Sequence, residues 1–262
     1  MIKKTLVSFF SICYTKHCNF SEVGGILTTL LSVNRTENKY PISLIEASIL
    51  KNRLANVMYP DEYDEDGLGY TIRNLYFDSL NQDDYYEKLA GNKERKKIRI
   101  RVYNINDEKC KLEVKKKNGD YQHKISIWIK KEHAKKLIDG DFSVIKNYFK
   151  YSKDAIEIYK TMMLGCYRPS CLIEYQRNAF YYPFSNTRIT FDTNIRASES
   201  FFDIFHEHPI YNEVLSDSAI LEVKYDQKLV KVIKDILSPF NLTRSSFSKY
   251  VTSRKLLNKI DL

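Results

Sequence analysis

The chain has 262 residues, 43% of them hydrophobic and 29% charged, with a formal net charge of +9. This is the composition of a globular protein rather than a disordered one, and the length suits one large domain or two small ones. The cationic excess favours an anionic partner, whereas only 8 glycines and no Gly-x-x-x-x-Gly-Lys run argue against a P-loop or dinucleotide fold.

Residues 1–34 read as an extension outside the main fold. Lys3 and Lys4 precede an apolar run from Leu6 to Ile12, and a second apolar patch spans Gly24 to Val33. Both are too short to span a bilayer, so no transmembrane segment is expected. A first strand is expected over Arg35–Tyr40. Ser43 and Glu46 then match a capping box, with Ile42 as a staple residue, and open a helix that Pro60 stops. Thr71–Asp78 reads as a strand, and Asp83–Leu89 as a short helix ending near Gly91. Lys97–Tyr103, Lys111–Lys117 and His123–Lys130 form a meander, with Asn106-Asp107 and Asn118-Gly119 as turns. Residues 131–164 read as helices broken around Gly140. Two more strands, Leu172–Tyr182 and Arg188–Ile195, are joined around Pro183 and Asn186. After an unassigned stretch from Phe201 to Leu215 comes the strand Ile220–Tyr225. Leu229–Leu237 is a helix stopped by Pro239, and Arg244–Leu257 is a last helix. The expected organisation is one domain over 35–257 with a tail at 258–262.

The strands have an unusual pattern. Side chains in a strand alternate between faces. Lys97, Arg99 and Arg101 therefore share one face, and Ile98, Ile100 and Val102 the other. Glu113 sides with Lys115, and Glu222 with Lys224. Rows of long cations with an occasional carboxylate suggest a cationic cavity walled by sheet, suited to a polyanion and a divalent metal. The expected class is α+β and mainly antiparallel: a closed β-tunnel with a polar, cationic interior and helices packed outside. Buried charge is costly, so such an interior needs a function.

The five cysteines include no Cys-x-x-Cys pair, and their number is odd. Neither a zinc site nor a disulfide framework is indicated, and a reduced, cytoplasmic setting is the default.

Several pieces occur in an order that resembles a known family. They are Arg35-x-Glu37-x-Lys39-Tyr40, Leu75-Tyr-Phe-Asp78, Lys97-Ile-Arg-Ile-Arg101, Leu112-Glu-Val-Lys115, Tyr175-x-Arg177-x-Ala179-Phe180, Arg188-Ile-Thr-Phe-Asp192, Leu221-Glu-Val-Lys-Tyr225 and Phe247-Ser-Lys-Tyr250. Together they resemble the polyphosphate polymerase domain of the vacuolar transporter chaperone (VTC) family, in a bacterial-type single-domain form. That family belongs to the triphosphate tunnel metalloenzymes. The resemblance implies an antiparallel β-tunnel and polyphosphate synthesis from the terminal phosphate of ATP. Asn74 stands where the family pattern suggests a serine, and Glu174 and Gln176 flank Tyr175 with unusually polar groups.

A triphosphate needs several convergent cations, and Arg adds bidentate geometry. The expected phosphate ligands are Lys39, Arg99, Arg101, Lys115, Tyr175, Arg177, Arg188, Lys224 and Lys249, the last resting on the resemblance. Of these, Arg99, Arg101, Arg177 and Lys224 are expected to be catalytic. Lys97, Lys116, Lys117, Lys124 and Lys130 are expected at a tunnel mouth or in solvent. Mn²⁺ or Mg²⁺ prefers carboxylate oxygens, which points to Glu222 first and then Glu113 and Glu37. Two alternatives stay open: a triphosphatase of the same tunnel class, and a non-catalytic module binding polyphosphate or RNA. No specific nucleic acid is expected as partner, and association with a membrane partner protein is left open.

Overall fold

Ten antiparallel strands carry the domain, as the alternating segments predict. They are β1 (Arg35–Ser43), β2 (Tyr59–Pro60), β3 (Tyr70–Asp78), β4 (Glu94–Val102), β5 (Lys109–Asn118), β6 (Tyr121–Lys130), β7 (Arg168–Tyr182), β8 (Thr187–Ser198), β9 (Asn212–Leu215) and β10 (Ser218–Asp226). The helices are α1 (Leu44–Ala55), α2 (Asp83–Ala90), α3 (Lys131–Ile138), α4 (Lys153–Leu164), α5 (Lys231–Leu237) and α6 (Lys249–Ile260), with a 3₁₀ segment over Phe142–Tyr148. The computed structural model describes residues 35–260 apart from positions 65 and 120, and no side chain beyond Asn258. The expectations for residues 1–34, with Cys13 and Cys18, lie outside the described residues. No described helix is long and apolar enough to cross a membrane.

The strands pair in the order β1-β10-β8-β7-β3-β4-β5-β6, with β2 added to β7 and β9 to β8. The expected closure is therefore not made by hydrogen bonds: β1 and β6 stand at the two ends of the path without pairing. The sheet is nonetheless strongly curled. β1 and β5 are six steps apart in that order, which in a flat sheet is roughly 29 Å at ~4.8 Å per step. Yet Lys115 Nζ on β5 lies 3.2 Å from Glu37 Oε2 on β1. Side chains bridge the gap that the backbone leaves open.

The two faces of the sheet bury different things. On the outer face, Ile98, Ile100, Leu112, Val114, Ile125 and Ile127 pack with α3, α4 and the 3₁₀ segment. A second outer layer joins Ile189, Phe191, Leu221 and Val223 to Leu50 and Leu54 of α1 and to Ile233 and Leu237 of α5. α1 starts as its sequence dictates: Ser43 accepts from Glu46 N, and the Glu46 carboxylate accepts from Ser43 N at 2.8 Å.

The last helix departs from expectation twice. Residues 244–248 have no regular secondary structure and are not helical; this strap is held from outside itself. Ser245 N donates to Lys39 O at 2.8 Å, and Lys97 Nζ bonds Ser248 Oγ at 2.7 Å. α6 also lies on the inner face rather than outside. Its Tyr250 and Leu257 join Ile72, Tyr76, Ile173, Ile195 and Ile220 in a third apolar cluster. The inner face is thus polar along part of its length and plugged with apolar side chains elsewhere.

The outer layers supply the stability of this sheet. Ile100 is fully buried among them, so Ile100→Ala should cost about 2–5 kcal/mol in chemical denaturation. A loss under about 1 kcal/mol would mean that this face of β4 is not packed.

Candidate functional site

Strand alternation sends Arg99 and Arg101 to the inner face, because Ile98, Ile100 and Val102 are taken by the outer core. The register then sets each cation beside a fixed partner. Arg99 sits opposite Glu113 and binds it through Nε at 2.7 Å and Nη2 at 2.6 Å. It also donates to Tyr76 Oη at 3.1 Å. Arg101 sits opposite Asn74 and donates Nε to its Oδ1 at 2.9 Å. The departure at Asn74 thus has a structural role: its amide oxygen holds a guanidinium.

β7 and β8 supply the second half of the site. Arg177 makes a bidentate pair with Asp192, Nε to Oδ1 at 2.6 Å and Nη2 to Oδ2 at 2.8 Å. Lys249, the first residue of α6, bonds the same Asp192. Asp192 is fully buried. Burial opposes its ionisation, but Arg177 and Lys249 outweigh that and bring its pKa down to about 2. Tyr175 lies between these groups, with Lys249 Nζ 4.4 Å and the Arg177 guanidinium 5.3 Å from its ring centroid. Burial works against ionising the phenol, yet Arg177, Arg101 and Lys249 together pull its pKa down. Glu174 and Gln176, the polar flanks of Tyr175, are engaged elsewhere. Glu174 binds Arg73 and Arg196, and Gln176 bonds Thr71.

β1 and β10 form a checkerboard. Glu37 lies opposite Lys224, and Lys39 opposite Glu222. Lys224 Nζ is 3.1 Å and Lys39 Nζ 3.8 Å from Glu222 Oε1, and Lys39 is also 3.4 Å from Glu37. Burial disfavours the charge on Lys39, but Glu222 and Glu37 hold its ammonium above the ordinary value. Burial likewise opposes the Glu222 carboxylate, and Lys224 and Lys39 hold it well below the ordinary range. Arg188 points toward the end of the row near Tyr70, where Nη2 bonds Asp61 at 2.6 Å.

The structure thus brings Lys39, Arg99, Arg101, Lys115, Tyr175, Arg177, Lys224 and Lys249 onto one curled face, with Arg188 at its margin. Of the lysines expected at a tunnel mouth or in solvent, Lys116 pairs with Glu157 of α4, while Lys124 reaches Glu113. Lys97 belongs to the site. It lines a cavity of about 240 Å³ with Lys39, Lys88, Lys115, Lys117 and Ser248. Burial lowers its pKa well below the ordinary lysine value, and Lys39, Lys88, Lys115 and Arg99 add to that.

The carboxylates differ in what they have left to offer a cation. Both Glu113 oxygens are engaged, one by Arg99 and the other by Lys124. Glu222 is instead paired through Oε1 alone, by Lys224 and Lys39, and shares Lys39 with the Glu37 carboxylate. Lys39 is already the cation between these two carboxylates. Among the described residues no three His, Cys, Asp or Glu side chains gather into a metal cage. One or two carboxylates suffice for Mg²⁺ or Mn²⁺, which keep water and phosphate oxygens in their shell. Of the three carboxylates Glu222 has most left to offer such an ion, since both Glu37 oxygens are held by lysines.

Sequence reasoning gave no site role to three inner-face residues: Asn74, Thr190 and Asp192. The Arg188-x-Thr190-x-Asp192 alternation against Ile189 and Phe191 carried the signal for the last two. Buried polar atoms without a partner point the same way. Asn74 Nδ2, Arg188 Nε and Thr190 Oγ1 lack a hydrogen bond among the described residues, and all three belong to inner-face residues. Such orphans are costly unless something fills them.

No curated protein matches the chain. Among solved structures, a Bacillus halodurans protein provisionally described as an adenylate cyclase is similar at 12% identity and a TM-score of 0.48, over 82% of this chain and 95% of that one. A Vibrio parahaemolyticus protein with the same provisional description is similar at 12% identity and a TM-score of 0.45, over 86% and 98%. A Pyrococcus horikoshii OT3 protein is similar at 13% identity and a TM-score of 0.42, over 86% and 99%. The family model for the VTC domain matches residues 34–258. That match covers most of the sequence and contains every inner-face residue described above, and the chain belongs to the VTC domain family.

Proposed function

We propose that this protein catalyses metal-dependent phosphoryl transfer on triphosphates and builds polyphosphate from the terminal phosphate of ATP. The observation that carries the reading is the convergence of Arg99, Arg101, Lys39, Lys115, Arg177, Lys224 and Lys249 on one curled face. Phosphoryl transfer asks a protein mainly for positioning and charge stabilisation. The arginines suit this task because they are already fixed: Arg99 by Glu113, Arg101 by Asn74 and Arg177 by Asp192. A phosphate chain then meets oriented donors and loses little to their ordering. The unpartnered groups of Asn74, Arg188 and Thr190 are further donors for its oxygens.

Glu222 would hold Mg²⁺ or Mn²⁺. When bound, that ion neutralises charge on the phosphate oxygens and polarises them. The chain's own residues do the rest. Lys39 and Lys224 keep Glu222 ionised. The apolar plug around Tyr76 and Tyr250 keeps water from one end of the inner face. A cytoplasmic setting is part of this reading, in keeping with free thiols at Cys110, Cys166 and Cys171.

Incubation with ATP and Mn²⁺, followed by gel resolution of the products, tests the reading. Phosphate chains longer than three units are expected. Release of orthophosphate alone would make the protein a hydrolase, and no ATP turnover would make it a binding module. Arg101→Ala should lower the rate by about 10²–10³-fold. Its removal frees only neutral groups, Asn74 Oδ1 and Tyr103 Oη, so the fold should survive, whereas Arg99→Ala also strands the buried Glu113 carboxylate. Near wild-type turnover by Arg101→Ala would remove that guanidinium from the phosphate path.

Glu222→Gln separates a metal ligand from a counter-ion. As a ligand, its loss should cut Mn²⁺-dependent turnover by about 10²-fold or more while metal-free triphosphate binding persists. As a counter-ion, its loss only makes the face more cationic, and turnover should largely survive.

Proton uptake provides an independent check. In the free protein Lys97 has a depressed pKa, so it is partly neutral at alkaline pH below the ordinary lysine value of about 10.4. A polyanion beside it restores the charged form, which requires a proton from solution. Calorimetric titration with tripolyphosphate in buffers of different ionisation enthalpy should show net uptake, lost in Lys97→Met. Net release, or no buffer dependence, would mean that Lys97 does not face the phosphate.

A further inference from the structure

The two ends of the cation row have different chemistry. The Lys97 end opens among Lys88, Lys115 and Lys117. Six residues further along the chain, roughly 20 Å in extended strand, the row ends at Tyr103. The Arg101 guanidinium lies 5.9 Å from the Tyr103 ring centroid. There the aromatic rings gather. Tyr63 stacks on Tyr103 with centroids 4.8 Å apart and planes within 4°. Tyr70 stands 5.7 Å from Tyr63 and 6.2 Å from Tyr103. Tyr70 also packs against the inner apolar cluster and donates its hydroxyl to Asp61.

The outermost ring of this stack is exposed but not loose. Tyr63 is 47% exposed, in the loop between β2 and β3. The next residue, Asp64, is buried and pins that loop. Its carboxylate accepts from Gly69 N at 2.6 Å, Ala179 N at 3.1 Å and Asn178 Nδ2 at 3.2 Å. Gly69 has φ +85, and a Cβ there would meet Arg177 O at 2.9 Å. The loop therefore lies tight against the strand that carries Arg177. Asp61, Glu62 and Asp107 stand around Tyr63, and Asp61 is paired with Arg188, so this end is more acidic than the Lys97 end.

From this juxtaposition of a fixed, exposed ring stack with the end of the cation row, we infer that Tyr63 and Tyr103 form a platform for the base of a nucleoside triphosphate. A flat, uncharged base can stack on the open face of Tyr63 while its triphosphate runs inward past Arg101. The nearby carboxylates tolerate a neutral base and can accept from its exocyclic amine, but they disfavour a bare phosphate end. This deepens the phosphoryl-transfer reading and rests on it, since it names the residues that would hold the base of the nucleotide donor.

The test compares a β,γ-imido analogue of ATP with inorganic tripolyphosphate, both titrated calorimetrically at fixed salt in the presence of a chelator. Tyr63→Ala should weaken the ATP analogue by about tenfold or more and leave tripolyphosphate within about twofold, because only the analogue carries a base to stack. Tyr63→Leu keeps apolar bulk without a ring face and should give the same split, which covers failure of the alanine variant to fold. Tyr63→Trp should bind the analogue at least as tightly as the wild type. Equal losses for both ligands, or none for either, would overturn the platform. Wild-type binding of tripolyphosphate but not of the analogue would overturn it while leaving the phosphate site standing. If the wild type binds neither, the phosphoryl-transfer reading falls as well.

Discussion

Like-charge repulsion is the constraint around which this domain is built. A curled sheet that points Lys39, Lys97, Arg99, Arg101, Lys115, Arg177, Lys224 and Lys249 at one another would open if the cations faced only themselves. Four carboxylates prevent that, each set between cations from different elements. Asp192 joins Arg177 of β7 to Lys249 of α6. Glu113 joins β4 to β6 through Arg99 and Lys124. Glu222 and Glu37 tie Lys39, Lys224 and Lys115 together across the seam between β1 and β5. The cations still outnumber the acids along this face. The field is therefore held in place but not cancelled, as a polyanion site requires.

The balance is uneven along the face. Where the acids are close and bidentate, the arginines are oriented but largely neutralised. Around Lys97, where Glu37 is the one carboxylate lining the cavity, burial first and then repulsion from Lys39, Lys88, Lys115 and Arg99 hold the ammonium pKa well below the ordinary value. The first condition gives geometry and the second gives drive, since an arriving anion relieves the repulsion. The strap at 244–248 and the helix behind it take part in both. Ser248 holds Lys97, and Lys249 completes the clamp on Asp192. A segment far along the chain thus closes a site otherwise made of strands.

The apolar plug explains why α6 lies inside. Ile72, Ile173, Ile195 and Ile220 point to the same face as the cations, and without a cover they would line a wet cavity. Tyr250 and Leu257 supply that cover. Tyr250 also stacks on Tyr76 at 5.1 Å, and Tyr76 in turn accepts from Arg99. Stability at one end of the inner face is thereby coupled to guanidinium placement further along it.

Period-two alternation alone determined much of this. With Ile98, Ile100 and Val102 bound to face a core, Lys97, Arg99 and Arg101 had to share the opposite face, and the same logic assigned Glu222 with Lys224 and Glu113 with Lys115. Turn and capping residues set the meander and the start of α1 for equally local reasons. Tertiary structure decided what depends on contacts far apart in the chain. It left the sheet unclosed by hydrogen bonds, with side chains bridging β1 and β5. It left 244–248 as a non-helical strap, bonded to Lys39 and Lys97. It turned α6 inward, made Asp192 the partner of two cations, and ended the cation row in a stack of tyrosines. Alternation names a face but not what that face meets, and the meeting depends on a curl whose extent no single strand records.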